Sequence, residues 1–323
     1  MRSIPLLLVL ILCSIQLSLQ VYNETLALEF VKLSAMAYCD SEVLTKWSCG
    51  KYCNEFKGQI ELLRHFNKVT PEGGLSYTAF LDTKNKFIVF AFRGTNTGYE
   101  LINEIVTGYD VKYDLYDIPD AVVMDFFYIH YKNNVREDFL THLKLYRQNY
   151  SSYTVVFTGH SLGGALTTHA AMDAVLGGYV PKNQTMLYNY GSPRVGNFAW
   201  AQAFVNNIPE INRITHNRDI VPHVPFCIRE KGACVTGEGK PGYNKTGNII
   251  WYAWHIWNEI WYNENFTQSV ICTHGEDPQC QDRYIFEQTD IKDHHMYFVP
   301  VTCDGNKATE DFDGFEDSME IEF

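Results

Sequence analysis

The six residues GHSLGG at 159–164 strongly restrict the backbone conformation of the segment that contains them. The segment before them, from Tyr153, is rich in β-branched and aromatic residues and is typical of a buried strand. The segment after them has small and apolar residues at helical spacing and ends at Gly177 and Gly178, which suit a helix cap. A strand that turns sharply into a helix needs glycines beside the turn, because larger residues do not fit there. The motif therefore predicts a strand–turn–helix unit that pushes the side chain of Ser161 into solvent.

The rest of the chain alternates between predicted strands and predicted helices. A helix is predicted over residues 23–38, and a hairpin with TKNK as its turn is predicted over residues 75–92. Helical spacing follows over residues 133–149, and further strands are predicted from Met186 and from Arg213. Such alternation is typical of an α/β fold with a mostly parallel central sheet flanked by helices. With 323 residues and 46% hydrophobic content, the chain is long enough to bury this sheet in one large core, so we expect one domain.

The N-terminal residues have the pattern of a secretory signal. Arg2 precedes an apolar run from about Ile4 to Leu12, and small and polar residues follow. The run is shorter than the roughly 20 residues of a membrane-spanning helix, and no other stretch is apolar enough to span a bilayer. We therefore predict a signal peptide over residues 1–20, a secreted protein and a domain over residues 21–303, with no stable transmembrane segment.

Eight cysteines remain after removal of such a signal, and an even number in a secreted chain predicts disulfides. They are Cys39, Cys49, Cys53, Cys227, Cys234, Cys272, Cys280 and Cys303. A zinc site would need closely spaced cysteine pairs with histidines at ligand spacing, and the sequence offers none, so we predict neither a metal nor a cofactor. Sequons for N-glycosylation begin at Asn23, Asn149, Asn183, Asn244 and Asn265.

The charge of the chain argues against a nucleic-acid partner. The formal net charge is −12, whereas phosphate binding needs a surplus of Lys and Arg on one face. Part of the negative charge lies in residues 304–323, where acidic residues greatly outnumber the single Lys307. These acidic residues do not follow the ligand spacing of an EF-hand calcium loop. We therefore expect an acidic, solvated and mobile tail.

A serine hydroxyl becomes a good nucleophile only when a histidine takes its proton and a carboxylate orients that histidine. In α/β-hydrolases the acid and the histidine follow the serine in the chain. Asp219, in NRDIVPHVP, comes directly after a predicted strand, although a turn aspartate that caps its own backbone is an alternative. KDHHMYF offers His294 and His295 as the base. His223 is nearer to Asp219, but it follows a proline in the same loop and is assigned a surface or core role.

Four separated motifs make the sequence resemble the class 3 (fungal-type) triacylglycerol lipases, which have the α/β-hydrolase fold. The motifs are AFRGT at 91–95, TGHSLGGAL at 158–166, YGSPRVGN at 190–197 and NRDIVPHVP at 217–225. A fifth, DHHMYF at 293–298, matches the family pattern DHxxYF, whose first histidine is the catalytic one. This match favours His294, with His295 as the alternative. The resemblance covers almost all of the chain between the signal and the acidic tail.

The resemblance implies a role for each matched residue. Ser161 is the expected nucleophile, Asp219 the orienting acid and His294 the general base. The hydroxyl of Thr95 and the backbone amide of Leu162 are expected to form the oxyanion hole, where negative charge develops on the ester carbonyl. The alternative for Thr95 is a hydroxyl that closes a turn at the end of a strand.

The family's pairing also implies specific disulfides. It implies a bridge between Cys39 and Cys303 and another between Cys272 and Cys280. The remaining cysteines then pair as Cys49 with Cys53 and Cys227 with Cys234.

For Arg194, in YGSPRVGN, a structural role is preferred to that of a residue that binds the substrate.

Two segments bear on the substrate. The family has an amphipathic lid helix after Thr95. Here a helix is predicted in the same place, and one of its faces carries the apolar residues Leu101, Ile102, Ile105 and Val106. An ordinary surface helix is the alternative. FFYIHYKNN at 126–134 replaces the family's VHxGF-like segment and lacks its glycine, which leaves the shape of the acyl pocket open.

The expected function is that of a secreted, monomeric serine esterase acting on acylglycerols at an oil–water interface through an acyl-enzyme. Phospholipase A1 and feruloyl or other carboxylesterase activity would use the same triad. An inactive lipid-binding protein on a lipase scaffold is an alternative of another class.

Overall fold

A central sheet of eight strands follows the order of the sequence. The computed structural model describes residues 22–70, 73–95, 102, 105, 108–235, 242–243, 249–250 and 253–303. The strands of the sheet are β1 (Ile60–Thr70), β2 (Gly73–Asp82), β3 (Phe87–Phe92), β4 (Thr154–His160), β5 (Thr185–Tyr190), β6 (Glu210–His216), β7 (Glu259–Tyr262) and β8 (Ser269–Cys272). Strands β3 to β7 are parallel, whereas β1, β2 and β8 pair antiparallel with their neighbours. The prediction of a mostly parallel sheet is confirmed.

Seven α-helices lie wholly in the described part of the chain. They are α1 (Glu24–Met36), α2 (Ser41–Thr45), α3 (Gly50–Phe56), α4 (Asp125–His130), α5 (Arg136–Asn149), α6 (Leu162–Leu176) and α7 (Phe198–Asn207). A π-helical turn, Tyr131–Val135, joins α4 to α5. Short strands outside the central sheet include Asp110–Lys112, Val122–Met124, Gly196–Asn197 and Ala253–Trp254, which form a four-stranded sheet. The other short pairs are Ile228–Glu230 with Ala233–Val235, Gly242–Tyr243 with Ile249–Ile250, and Met296–Tyr297 with Val299–Pro300.

Each face of the sheet packs against its own group of helices. Successive residues of a strand point to opposite faces, so Val89 and Phe90 of β3 enter different cores. Phe90 packs edge-on against Phe139 of α5, with 5.1 Å between the ring centroids. Val89 belongs to the cluster that contains Phe30 of α1. The helices α1–α3 thus cover one face, and α4–α7 cover the other.

The elements that depend on strong local signals were predicted correctly. Helix α1 starts after Asn23, whose side chain accepts a hydrogen bond from the amide of Leu26 at 3.2 Å. The hairpin over residues 75–92 is formed by β2 and β3. Strand β1 was missed, because its sequence IELLRHFNKVT mixes apolar, charged and amide residues, as suits a partly exposed edge strand.

All four implied disulfides are present, so the pairing is confirmed. Cys39–Cys303 joins the end of α1 to the last described residues across a sequence separation of 264. Cys49–Cys53, Cys227–Cys234 and Cys272–Cys280 close short loops. The bridge at Cys39 therefore fixes the last described segment against the helices α1–α3.

Some predictions concern residues outside the described ranges. These are the signal peptide over residues 1–20, the acidic tail over residues 304–323 and the sequon at Asn244. Within the described ranges, no helix combines the length and apolarity needed to cross a membrane. The other sequon asparagines, Asn23, Asn149, Asn183 and Asn265, are all exposed, as surface glycosylation would require.

Candidate active site

Ser161 occupies a strained turn between β4 and α6. Its φ is 61° and its ψ is −132°, a backbone conformation that side-chain-bearing residues rarely adopt and that costs on the order of 1–3 kcal/mol. A Cβ at Gly163 would overlap the backbone carbonyl of Phe92, so only glycine lets the start of α6 lie this close to β3. The amide of Ser161 donates to the carbonyl of Tyr190 at 3.0 Å, which fixes the turn against the end of β5.

Ser161 is covered rather than solvent-exposed. Its exposed fraction is 3%, which differs from the expectation that the turn pushes the side chain into solvent. Two described residues of the candidate lid segment, Ile102 and Ile105, are 3% and 1% exposed and belong to the same apolar cluster as Leu162. The prediction of solvent exposure considered the turn alone and took no account of the side chains that pack around it.

Asp219 and His294 form a buried pair. Asp219 follows β6, and His294 lies in the short 3-10 helix Ile291–His295. The Oδ2 of Asp219 is 2.9 Å from the Nδ1 of His294, and the two side chains are almost fully buried. Because a carboxylate can only accept, Nδ1 carries a hydrogen; in the neutral form of the ring, Nε2 then keeps its lone pair.

The carboxylate of Asp219 has two further partners. Its Oδ1 accepts from the amide of Val221 at 2.9 Å, so Asp219 caps its own turn, as the alternative interpretation predicts. Its Oδ2 accepts from the hydroxyl of Tyr297 as well as from His294. Sequence reasoning missed Tyr297 as a member of this cluster, although it stands in the DHHMYF motif. The carboxylate is therefore held on both oxygens.

The end of β5 brings the pair next to the serine turn. A Cβ at Gly191 would lie 2.7 Å from the Oδ2 of Asp219 and 3.0 Å from the Cε1 of His294. Gly191 directly follows Tyr190, whose carbonyl binds the amide of Ser161. Its φ of 54° also favours glycine. The structure thus brings positions 161, 219 and 294 together at one end of the parallel strands.

The other two candidate histidines are placed differently. The ring of His223 contacts the backbone carbonyl of Asp219 through Nδ1 at 2.9 Å and does not bind its carboxylate. Burial lowers the pKa of His223 to about 4, so the residue is a neutral part of the core. Burial also lowers the pKa of His295 to about 4, and His294 rather than His295 bonds the Asp219 carboxylate.

Thr95 and Leu162 flank the serine turn from two sides. Leu162 is the first residue of α6. Thr95 comes three residues after the end of β3, and a Cβ on the preceding Gly94 would lie 2.9 Å from the Cβ of Ser161. Among the described residues, neither the Oγ1 of Thr95 nor the Nε2 of His294 has a hydrogen-bond partner, although both atoms are buried. Two unpaired polar atoms therefore lie at the site beside Ser161.

Arg194 supports the loop that carries Asp219. Its guanidinium binds both carboxylate oxygens of Glu276 at 2.9 and 2.7 Å and donates to the carbonyls of His223 and Pro225. The side chain is 1% exposed. Arg194 therefore has a buried structural role, which agrees with the role preferred from the sequence.

Similar proteins agree on one family. The sequence model described as lipase (class 3) matches residues 89–229. The chain is 29% identical over 303 residues to Lipase ZK262.3 of Caenorhabditis elegans. This alignment covers 89% of this chain and 82% of the relative. It is 30% identical over 276 residues to a lipase of Rhizopus niveus. This alignment covers 84% of this chain and 63% of the relative. These comparisons support the class 3 lipase family for this chain.

The chain also shares its architecture with solved lipases. Lipase II from Rhizopus niveus superimposes with a TM-score of 0.71 at 26% identity, over 88% of this chain and 98% of that one. The expected α/β-hydrolase fold is thereby confirmed. The lipase is a serine carboxylic ester hydrolase.

Proposed function

We propose that this lipase hydrolyses the ester bonds of acylglycerols with Ser161 as nucleophile, Asp219 as orienting acid and His294 as general base. The observation that carries the proposal is the buried hydrogen bond of 2.9 Å between Asp219 and His294, next to the strained serine turn. A buried imidazole with Nδ1 held by a carboxylate and Nε2 unpaired is poised to accept one proton.

The proposed reaction has two halves. The Nε2 of His294 takes the proton of the Ser161 hydroxyl while the oxygen attacks the ester carbonyl carbon. The same nitrogen then gives the proton to the departing alcohol, which leaves an acyl group on Ser161. A water molecule, activated in the same way, releases the fatty acid. Asp219 stabilises the positive charge that the ring carries between these transfers.

Negative charge on the former carbonyl oxygen needs donors, and we assign these to Thr95 and Leu162. The amide of Leu162 lies in the first turn of α6, where the helix dipole favours negative charge. The Oγ1 of Thr95 is buried and lacks a partner among the described residues, so its hydroxyl is available to donate. Both residues flank Ser161, which supports this assignment.

Replacing Thr95 by valine keeps the shape of the side chain and removes only the hydroxyl. We expect kcat to fall by about 10²- to 10³-fold with little change in KM, because the donor acts on charge that develops in the transition state. Thr95→Ser keeps the hydroxyl and is the matched control. Equal losses in the two variants, measured at equal folded fraction, would assign Thr95 to packing instead.

The substrate class is proposed from the family and from the covered site. The relatives from Caenorhabditis elegans and Rhizopus niveus are named lipases. Ile102 and Ile105 of the predicted lid helix are buried in the cluster that contains Leu162, which supports a lid. Leu101 and Val106 of the same predicted helix lie outside the described residues. A lid with an apolar inner face would open at an oil–water surface. We therefore propose a secreted monomer that acts on emulsified acylglycerol.

Hydrolysis of three substrates by the full chain tests this proposal. The substrates are emulsified triacylglycerol, phosphatidylcholine vesicles and a short soluble ester, each with Ser161→Ala as the blank. We expect the highest rate on triacylglycerol, with a sharp rise once the ester exceeds its solubility. A higher rate on phosphatidylcholine would assign a phospholipase, and a flat response across the solubility limit would assign a simple esterase.

A further inference from the structure

We infer that Tyr38 is a positioning residue whose single hydroxyl ties together three of the loops that carry the catalytic groups, namely those of Ser161, Thr95 and His294. The inference rests on the proposed function, since it takes His294 as the general base. Tyr38 itself touches no reacting atom. It follows α1, an element that the catalytic motifs do not include.

Two of the three loops contact the Tyr38 hydroxyl directly. The phenol oxygen is 2.8 Å from the Nδ1 of His160, the residue before Ser161. Burial raises the pKa of Tyr38, and the nearby backbone amide of Gly94 opposes that rise. Gly94 precedes Thr95, and a side chain there would collide with the same hydroxyl. The serine turn and the proposed oxyanion loop therefore meet at one atom.

His160 extends this contact to the third loop. Its Nε2 is 2.7 Å from the backbone carbonyl of His294, and the two imidazole rings lie with their centroids 4.4 Å apart. His160 is 3% exposed, and burial lowers its pKa well below the ordinary value, so its ring is neutral. The carbonyl of His294 is thereby held by a neighbour that adds no charge beside the base.

The direction of both hydrogen bonds follows from the chemistry of the groups. A backbone carbonyl only accepts, so the Nε2 of His160 carries the ring hydrogen. A neutral imidazole has one hydrogen, so its Nδ1 is the acceptor and the Tyr38 hydroxyl donates to it. The hydroxyl oxygen remains free to accept from the amide of Gly94. One tautomer of His160 satisfies every contact in this chain of bonds.

The base loop needs this support because it lies outside the central sheet. His294 belongs to a 3-10 helix of five residues, Ile291–His295. The Cys39–Cys303 disulfide, directly after Tyr38, fastens the C-terminal segment to the same end of α1. The end of α1 therefore holds the segment covalently through Cys39 and orients it through Tyr38 and His160.

Tyr38→Phe in the full, disulfide-bonded chain tests the inference, because it removes one oxygen and keeps the ring. Misplacement of catalytic groups by about 1 Å costs on the order of 10²-fold in rate. We expect kcat on a short soluble ester to fall by roughly 10- to 100-fold with KM unchanged. Nitrogen-15 NMR of the imidazoles should show one Nε2–H tautomer for His160 in the wild type and a mixture in the variant.

Tyr52→Phe is the matched control. Tyr52 lies in α3 on the same side of the sheet, and its buried hydroxyl donates to the carbonyl of Pro300 at 3.0 Å. We expect this variant to keep the wild-type kcat and the single His160 tautomer even if its Tm falls. Wild-type kcat in Tyr38→Phe, or the same kcat loss in both variants, would overturn the inference. Neither result touches the proposed function, which the activity of Ser161→Ala tests separately.

Discussion

Replacing Ser161 by alanine is expected to lower kcat for ester hydrolysis by about 10⁵- to 10⁶-fold. The hydroxyl is the group that forms the acyl-enzyme, and no other residue of the site can take its place. The backbone at this position has a φ of 61°, and alanine carries the same strain there as serine. The variant should therefore fold with a nearly unchanged Tm. Rates and thermal unfolding curves measured on the same preparation check both expectations.

Ser192→Ala is the control for this substitution. Ser192 is also buried, follows β5, and donates its hydroxyl only to the carbonyl of Pro193 within the described part of the chain. We expect it to retain the wild-type kcat. Substantial activity in Ser161→Ala would mean that the nucleophile lies elsewhere, and the proposed function would then be wrong.

Replacing Asp219 by asparagine is expected to lower kcat by about 10⁴-fold. The carboxylate accepts from His294 and Tyr297 on one oxygen and from the amide of Val221 on the other. An amide at this position presents a donor where His294 needs an acceptor, so the ring turns to the tautomer that cannot take the serine proton. Kinetics at saturating soluble ester measure the loss directly.

Asp290→Asn provides the comparison for Asp219. The backbone of Asp290 pairs with Asp219 in an isolated bridge, and its side chain accepts from the amide of Lys292. Asparagine can make the same cap, so activity should persist. A loss of less than 10-fold in Asp219→Asn would show that another acid orients His294.

The site was predictable from the sequence where its residues stand in local motifs. Glycines beside Ser161 mark the turn because a Cβ at Gly163 has no space there. Asp219 and His294 come from separate motifs, and only the strand order of the fold explains why they meet. The pairing Cys39–Cys303 followed from family resemblance, since no local pattern relates residues so far apart.

Other parts of the structure left no readable local signal. Strand β1 lies at the edge of the sheet, where most of its side chains are partly or fully exposed and its composition is mixed. The contact of Tyr38 with His160 joins residues 122 positions apart, and the helical pattern of α1 says only that one face is apolar. The π-helical turn Tyr131–Val135 overlaps the start of the segment over residues 133–149 that was predicted as helical, and its spacing gave no sign of the irregular turn. Long-range contacts and local departures from regular geometry need the folded chain.

Covalent labelling with a fluorophosphonate, followed by peptide mapping, tests the central claim most directly. The reagent reports a serine activated by its own histidine, independently of the choice of ester. We expect one adduct, on Ser161, that forms rapidly in the wild type and in His295→Ala and very slowly in His294→Ala. An adduct on another residue, or rapid labelling of Ser161 in His294→Ala, would contradict the proposed triad.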